Sequence, residues 1–248
     1  MSKTLILIPA RHGSTRFPGK PLAKIHDKPM IQHVIENCRE TGFDCAVVTD
    51  NDEIEDFLKA HNQPVLRVDD EVSTGSERVA LALERFFFEK SYDFVINVQG
   101  DEPLLKASIL LDLVKFHAQS SFDICTAVKS RERSESEKDF LNPNVVKCAL
   151  SENDGKCLYF SRASIPSFGP GSGSWHQHIG LYSYKPAALR QFVKLKPGRL
   201  ERAEKLEQLR ALENGMNIGA IVTEALLAGV DAPEDIHAIE GVLSGKKG

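Results

Sequence analysis

Short apolar runs alternate with longer segments in which apolar residues recur every three or four positions, and this alternation fills the first 98 residues. The runs at 5–8, 45–48, 65–68 and 94–98 are short and β-rich, so each predicts a buried strand. The segments at 29–42, 52–61 and 76–88 have helical spacing and predict a helix between successive strands. This rhythm is typical of an α/β fold with a mostly parallel sheet and helices on both faces.

The second half of the chain has a more mixed pattern. Strands are predicted near residues 145–150 and 178–184, and the charge-rich segment 129–139 predicts a solvent-exposed helix or loop. Residues 167–174 are rich in glycine, serine and proline and favour a surface loop. A long helix is predicted over residues 200–214, ended by Gly215, and Pro233 is predicted to begin the last helix.

Composition narrows the class of protein. The chain is 42% hydrophobic and 27% charged with a net charge of -4, so nothing in the balance favours nucleic acid or a membrane as a partner. No apolar run approaches the roughly 20 residues of a membrane helix, and the run at 5–8 is too short for a signal peptide. The five cysteines form no C-x-x-C pair and are expected to be reduced and partly buried in a cytoplasmic protein.

The densest candidate chemistry is the loop at 9–20, directly after the first predicted strand. It contains Gly13 and Gly19 together with the cations Arg11, Arg16 and Lys20. Ligands of open α/β sheets bind beyond the carboxyl ends of the strands, and a flexible backbone with fixed cations suits a triphosphate. The spacing fits neither a Walker P-loop nor a G-x-G-x-x-G fingerprint. A phosphate-binding loop is favoured over a solvated basic turn.

Two aspartates are candidate metal ligands. Asp101 follows the most apolar strand directly, where a carboxylate can hold Mg²⁺, although an ordinary Gly-Asp turn explains the spacing equally well. Asp231 precedes a helix that begins with proline, so helix capping is a strong alternative there.

Taken together, the motifs resemble one family, the 3-deoxy-manno-octulosonate (Kdo) cytidylyltransferases or CMP-Kdo synthetases. The resemblance runs over nearly the whole chain, and its landmarks stand in the family's order. They are Pro-Ala-Arg at 9–11 with Pro-Gly-Lys-Pro-Leu at 18–22, Val-Gln-Gly-Asp-Glu-Pro at 98–103, Asn-Pro at 142–143, Tyr-Phe-Ser-Arg at 159–162, His-Ile-Gly-Leu-Tyr at 178–182, Leu-Glu-Gln-Leu-Arg at 206–210 and Val-Asp-Ala-Pro-Glu-Asp at 230–235.

The resemblance implies a nucleotide-diphospho-sugar transferase type of α/β sheet with a smaller, mixed α/β lobe for sugar binding and dimerisation. Residues 1–128 are expected to bind mainly the nucleotide, 129–226 mainly the sugar and the second subunit, and 227–248 to return to the metal site. A cytoplasmic homodimer is expected.

The resemblance also implies roles for individual residues. Lys20, Asp101 and Asp231 match catalytic positions, and the two aspartates match the magnesium ligands. The expected nucleotide-binding residues are Ala10, Arg11, Lys20, Thr74, Gly75, Ser76, Arg78 and Gln99. The expected sugar-binding residues are Arg162, His178, Tyr182, Glu207 and Gln208. In one departure from the family's Ser-Gly-Thr, the two hydroxyls of Thr74 and Ser76 have exchanged places, which preserves hydrogen-bonding capacity.

The implied reaction transfers CMP from CTP to the anomeric 2-hydroxyl of Kdo and releases diphosphate, for lipopolysaccharide biosynthesis. Alternatives are the same reaction on the 8-amino-8-deoxy analogue, a sialic-acid-type cytidylyltransferase, and a non-catalytic nucleotide-binding regulator. The sialic-acid type is disfavoured because residues 16–20 depart from its usual continuation, and the regulator is disfavoured because Lys20, Asp101 and Asp231 are all present.

Overall fold

A computed structural model describes residues 2–13, 17–169, 171–225, 229–230 and 232–245. Two residues with predicted roles, Arg16 and Asp231, lie outside these ranges. Contacts along the chain define two compact units, residues 1–111 with 226–248 and residues 112–225, which are described separately below.

The strands of the described ranges are short, apart from two of nine and eleven residues. They are β1 (Thr4–Ala10), β2 (Lys24–Ile25), β3 (Lys28–Pro29), β4 (Asp44–Thr49), β5 (Val65–Arg67), β6 (Phe94–Asn97), β7 (Ile124–Glu132), β8 (Lys147–Leu150), β9 (Cys157–Ser161), β10 (Ser174–Tyr184) and β11 (Ile218–Val222).

The helices span between six and thirteen residues. They are α1 (Met30–Arg39), α2 (Asp52–Ala60), α3 (Gly75–Phe86), α4 (Ala107–Gln119), α5 (Arg133–Leu141), α6 (Pro186–Phe192), α7 (Arg199–Glu204), α8 (Gln208–Glu213) and α9 (Asp235–Leu243). A short 3-10 turn covers Lys20–Leu22.

The first unit is built on a parallel sheet in the order β6-β1-β4-β5. Strand β1 is central, and Leu7 pairs with Ala46 on one side and Asn97 on the other. Residues 5–8 are completely buried, as expected for a parallel strand covered on both faces. Because the strands are parallel, the loops after β1 and β6 leave the sheet at the same edge.

The second unit has a mixed sheet. Strand β7 pairs antiparallel with β10 and parallel with β11, while β8 pairs antiparallel with both β10 and β9. The register of β10 shifts between Ile179 and Tyr182, which marks a β-bulge. This irregularity lies next to the residues that were expected to bind the sugar.

The α/β class, the mostly parallel sheet and the strand–helix order of the first half are confirmed. The prediction for residues 129–139 is wrong in its first part, because β7 continues to Glu132 before α5 begins. The long helix predicted over 200–214 is also wrong. Lys205 adopts a left-handed conformation with φ 56°, so α7 ends there and α8 begins separately.

Two further properties bear on the class of protein. Within the described ranges no helix is long and apolar enough to cross a bilayer. All five cysteines carry free thiols, four of them buried and Cys45 half-buried, in agreement with the expected reduced state.

Candidate active site

A cleft opens at the carboxyl edge of the parallel sheet in the first unit. Its walls come from the end of β1, the loop that follows, the start of α3 and the loop after β6. The lining residues are Pro9, Ala10, Arg11, Gly13, Lys20, Pro21, Gly75, Gln99, Gly100 and Asp101. Five residues predicted to bind nucleotide therefore share one cleft with the predicted catalytic Asp101.

The turn at Gly19 directs Lys20 into this cleft. Gly19 has φ 71° and donates its N–H to the carbonyl of His12 at 3.0 Å. Left-handed backbone favours glycine, and a Cβ at this position would stand 3.3 Å from Nε2 of His12. The chain then enters the 3-10 turn with the Lys20 side chain largely buried.

Lys20 is held by two oxygens. Its Nζ lies 2.5 Å from Oδ2 of Asp101 and 2.8 Å from the carbonyl oxygen of Val230. The Val230 N–H in turn donates to the main-chain carbonyl of Asp101 at 3.0 Å. The loop after β6 and the segment before α9 are thereby joined around one cation, although the three residues are far apart in sequence.

These two oxygens also bear on the expected metal. A carboxylate and a main-chain carbonyl are the hard donors that Mg²⁺ prefers, and both already surround a positive charge. Among the described residues, no group of three or more histidine, cysteine, aspartate or glutamate side chains could hold a metal ion. The donor chemistry of Asp101 thus fits magnesium, and Asp231 lies outside the described residues.

The start of α3 contains the two exchanged hydroxyls. Thr74 is the N-cap of α3, where its hydroxyl accepts the N–H of Glu77 while the Glu77 side chain accepts the N–H of Thr74. Ser76 is buried and faces Asn97, whose Nδ2 lies 3.5 Å from the Ser76 hydroxyl oxygen. In this conformation the Thr74 hydroxyl therefore caps the N-terminus of α3.

Arg11 and Arg78 line a second depression beside the cleft. The other residues that line it are Asp50, Asp69, Asp70, Glu71, Val72 and Ser73. Arg78 is only 1% exposed and bonds to a carboxylate oxygen of Asp50 at 2.6 Å and to the carbonyl of Val68. Burial lowers the pKa of Arg78 more than the Asp50 carboxylate raises it. Arg11 lines both spaces and bonds to the carbonyl of Val72 at 3.0 Å.

The second unit contains the five residues expected to bind the sugar. The guanidinium of Arg162 bonds to the carbonyls of Glu204 at 2.7 Å, Pro143 at 3.0 Å and Lys205 at 3.4 Å. It therefore satisfies the final carbonyls of α7, where a cation is favoured. This contact lies at the point where the predicted long helix breaks, at Lys205.

His178 has a defined protonation pattern. The Thr126 hydroxyl donates to the Leu181 carbonyl at 2.7 Å, so towards Nε2 of His178, 3.1 Å away, its oxygen acts as an acceptor. Burial lowers the pKa of His178 to about 3. The imidazole is therefore neutral at physiological pH, with its proton on Nε2 directed to the Thr126 hydroxyl oxygen.

Of the remaining three expected sugar residues, Tyr182 lies at the bulge of β10, whereas Glu207 and Gln208 lie at the start of α8. Burial raises the pKa of the Tyr182 phenol well above its ordinary value, with further contributions from Tyr184 and Glu207. Gln208 is 6% exposed, and its Nε2 has no hydrogen-bond partner among the described residues. Tyr182 and Glu207 thus influence each other electrostatically, which sequence spacing did not reveal.

Sequence reasoning missed two charged residues beside Arg162. Lys147 is completely buried, and its Nζ donates to the carbonyls of Asn142 at 2.7 Å and Arg162 at 3.1 Å. The Glu204 carboxylate accepts the Ser161 hydroxyl at 2.6 Å and the Arg162 N–H at 2.9 Å. A lysine in the apolar run at 145–150 was a usable signal for Lys147. Nothing in the sequence pointed to Glu204.

The comparisons with known proteins agree with one another. A cytidylyltransferase family model matches residues 5–218. Proteins named 3-deoxy-manno-octulosonate cytidylyltransferase from Bartonella bacilliformis and Mesorhizobium japonicum are 40% and 41% identical to this chain. The matches cover 98% and 97% of this chain and 99% of each relative.

Solved structures give the same result at the level of the fold. The CMP:2-keto-3-deoxy-manno-octonic acid synthetase complexed with CTP superposes with a TM-score of 0.89 at 29% identity, covering 99% of this chain and 100% of that one. A putative glucose-1-phosphate thymidylyltransferase from Bacillus anthracis, with a TM-score of 0.68 at 14% identity, covers 99% of this chain and 96% of its own and shares the fold. The full-length similarity and the cleft at the sheet edge lead to one conclusion: the chain belongs to the 3-deoxy-manno-octulosonate cytidylyltransferase family, whose members are nucleotidyltransferases.

Proposed function

We propose that this enzyme transfers CMP from CTP to the anomeric 2-hydroxyl of Kdo, giving CMP-Kdo and diphosphate for lipopolysaccharide assembly. The observation that carries this proposal is the cleft in which Lys20, Asp101 and Gln99 meet at the carboxyl ends of β1 and β6. Relatives with this reaction in their names match along almost the entire chain. We further propose that it works as a homodimer in the cytoplasm.

The nucleotide's phosphates are proposed to lie against the loop after β1. Arg11 and Lys20 line the cleft there and supply the positive charge that a triphosphate of about four negative charges requires. Gln99 and Gly75 line the same cleft and are proposed to contact the ribose and base. Ala10 is proposed to contribute main-chain groups at the end of β1. Thr74, Ser76 and Arg78, at the start of α3, are proposed to support the base site.

Mg²⁺ is the proposed cofactor, held by Asp101 and Asp231. When bound, it would offset negative charge on the phosphates and on the departing diphosphate. This proposal is supported by the Asp101 carboxylate, which lies in the loop after β6 and already binds the ammonium group of Lys20. The protein's own cations remain necessary because both substrates are anionic.

The sugar is proposed to bind near Arg162, His178, Tyr182, Glu207 and Gln208. A guanidinium can bind a carboxylate with two parallel hydrogen bonds, which suits the acidic end of Kdo. The neutral His178 offers Nδ1 as an acceptor for a sugar hydroxyl. The buried Nε2 of Gln208 offers a donor.

In the proposed reaction, the 2-hydroxyl oxygen of the sugar forms a bond to the α-phosphorus of CTP. The bond from the α-phosphorus to the bridging oxygen breaks, diphosphate leaves with that electron pair, and the hydroxyl proton is released. Lys20 and Arg11 stabilise the charge that develops on the departing oxygen.

One assay tests this proposal. Diphosphate release from CTP and Mg²⁺ is measured with Kdo, its 8-amino-8-deoxy analogue, a sialic acid and no sugar. We expect release with Kdo and none with the sialic acid. Release with the sialic acid alone, or no release with either octulosonate, would refute the proposed activity.

A further inference from the structure

The ammonium group of Lys20 occupies the position of a small bound cation. It contacts Asp101 Oδ2 at 2.5 Å and the Val230 carbonyl at 2.8 Å, and the Lys20 side chain is 13% exposed. Within the cleft, the positive charge is held between a carboxylate proposed to bind the metal and the carbonyl of Val230, the residue before Asp231.

The main-chain segments that carry the two oxygens are joined without help from Lys20. The Val230 N–H bonds to the Asp101 carbonyl at 3.0 Å, and the Val230 side chain is 1% exposed. It belongs to an apolar cluster with Ile25, Met30, Leu104 and Ile239. The Val230 segment is therefore anchored in the core and bonded to the Asp101 main chain, while the lysine that binds the two oxygens has a long, flexible side chain.

Two cations cannot use this pair of oxygens at once. A metal bound to both Asp101 Oδ2 and the Val230 carbonyl, at ordinary magnesium–oxygen distances of about 2.1 Å, would lie almost where the ammonium lies, and like charges at such range repel strongly. A metal can therefore use both oxygens only when Lys20 has moved. The phosphates of a nucleotide in the same cleft offer the ammonium a new partner.

We propose that Lys20 is a resident cation that occupies the Asp101–Val230 oxygens in the nucleotide-free enzyme and moves to the phosphates when metal-bound CTP enters. The exchange leaves each charge paired before and after binding. Mg²⁺ and CTP then bind with positive coupling. CTP phosphates draw the Lys20 ammonium away from the oxygens that the metal uses, and the metal leaves that ammonium available to the phosphates. This inference rests on the proposed use of Mg²⁺ at Asp101, and it assigns Lys20 a second role in addition to phosphate binding.

The test measures Mg²⁺ binding without nucleotide, by calorimetry on the full chain, with Mn²⁺ and electron paramagnetic resonance as a second probe. Lys20→Met should bind free metal about tenfold more tightly than the wild type, since a charged competitor has been removed. Lys20→Arg should remain as weak as the wild type. The matched control is Lys24→Met, which removes the same charge from an exposed site in β2 and should change nothing. Adding Asp101→Asn to Lys20→Met should abolish the gain.

The wild type alone provides a second measurement if Lys20→Met does not fold: without nucleotide it should bind free metal weakly. Its affinity for CTP should rise at least about tenfold with Mg²⁺, and its affinity for Mg²⁺ should rise by the same factor with CTP. Equal metal affinity in the wild type and Lys20→Met, or tight metal binding by the nucleotide-free wild type, would overturn the inference. No sugar is present in these experiments, so their outcome is independent of whether Kdo is the acceptor.

Discussion

The guanidinium of Arg162 binds the main-chain carbonyl of Glu204, and the carboxylate of Glu204 binds the main-chain N–H of Arg162. The two residues are 42 positions apart and exchange hydrogen bonds in both directions. Arg162 is therefore fixed at the C-terminal end of α7 before any substrate arrives. A rigid guanidinium is the preferred partner for a carboxylate that must be bound in one orientation.

Arg162→Lys tests this arrangement. The substitution keeps the charge but loses the planar group that reaches three carbonyls, so we expect kcat/KM for the sugar to fall about tenfold or more. The KM for CTP should stay nearly unchanged. Steady-state kinetics with each substrate varied in turn measures both. The matched control is Arg199→Lys, on the exposed first residue of α7. Equal losses in both variants would remove the special role of Arg162.

The proposed metal ligands are tested by Asp101→Asn and Asp231→Asn. Each should lower kcat about a hundredfold or more, because an amide is a poor substitute for a carboxylate on Mg²⁺. The Lys20–Asp101 pair is partly exposed, so Asp101→Asn should change the free energy of unfolding by less than about 1 kcal/mol.

Asp112→Asn, on an exposed position of α4, removes the same charge and serves as the control for both variants. Turnover and chemical unfolding are measured side by side. Near-normal turnover of either metal-site variant at ordinary magnesium concentrations would refute the metal role of that aspartate.

A buried histidine makes stability depend on pH. His117 is fully buried between the Ser183 hydroxyl and the Phe122 carbonyl, and burial lowers its pKa to about 4. The unfolded chain takes up a proton near pH 6.5 while the folded chain does not, so stability falls as pH drops from 7 to 5. The contribution of His117 to this loss is about 2 kcal/mol.

His117→Gln removes this titration. The variant should be less stable than the wild type at pH 7, and the gap should shrink by about 2 kcal/mol at pH 5. His61→Gln, at an exposed histidine, should retain the pH dependence of the wild type. Urea unfolding at both pH values measures the gap. A gap that stays constant would show that His117 titrates alike in the folded and unfolded states.

Local pattern determined what could be predicted from the sequence. Strand β1 is buried on both faces and is therefore a continuous apolar run, and the Asp52–Ala60 helix carries its acidic first turn in the sequence. The carbonyl of Lys205, at the helix break, accepts a hydrogen bond from Arg162, 43 residues earlier, and such a long-range contact is not visible in the pattern of residues 200–214. The Lys20–Asp101 pair likewise joins residues 81 positions apart. The sequence identified both as candidates but could not show that they bind each other.

Nucleotide preference is the next prediction. We expect CTP to be used at least about a hundredfold better than ATP or GTP, with UTP the weak substitute. Cytosine and uracil have the same size but differ at carbon four, an amino group against a carbonyl, and at N3, an acceptor against a donor, so a site that binds the cytosine amino group leaves an unmet acceptor with uracil. Diphosphate release with each nucleotide at equal concentration measures the preference. Comparable rates with purine nucleotides would contradict it.

The choice of sugar is the last prediction. Kdo and its 8-amino-8-deoxy analogue share the carboxylate end and differ at carbon eight, where one has a hydroxyl and the other an ammonium group. A site selective for the ammonium needs an additional carboxylate or acceptor, whereas a hydroxyl needs one neutral hydrogen bond. The Glu204 carboxylate already accepts hydrogen bonds from the Ser161 hydroxyl and the Arg162 N–H. The relatives at 40% and 41% identity are named for Kdo.

We therefore expect Kdo to be the preferred acceptor when both sugars compete at equal concentration, with the two products separated and counted by mass spectrometry. Arg162→Lys should reduce both products by similar factors, because both sugars present the same carboxylate to the guanidinium. If the amino sugar is converted preferentially, the assignment of Kdo fails while the transfer chemistry stands. If Arg162→Lys changes the ratio of the products, Arg162 contacts the end of the sugar that carries carbon eight. The proposed contact between Arg162 and the sugar carboxylate is then wrong.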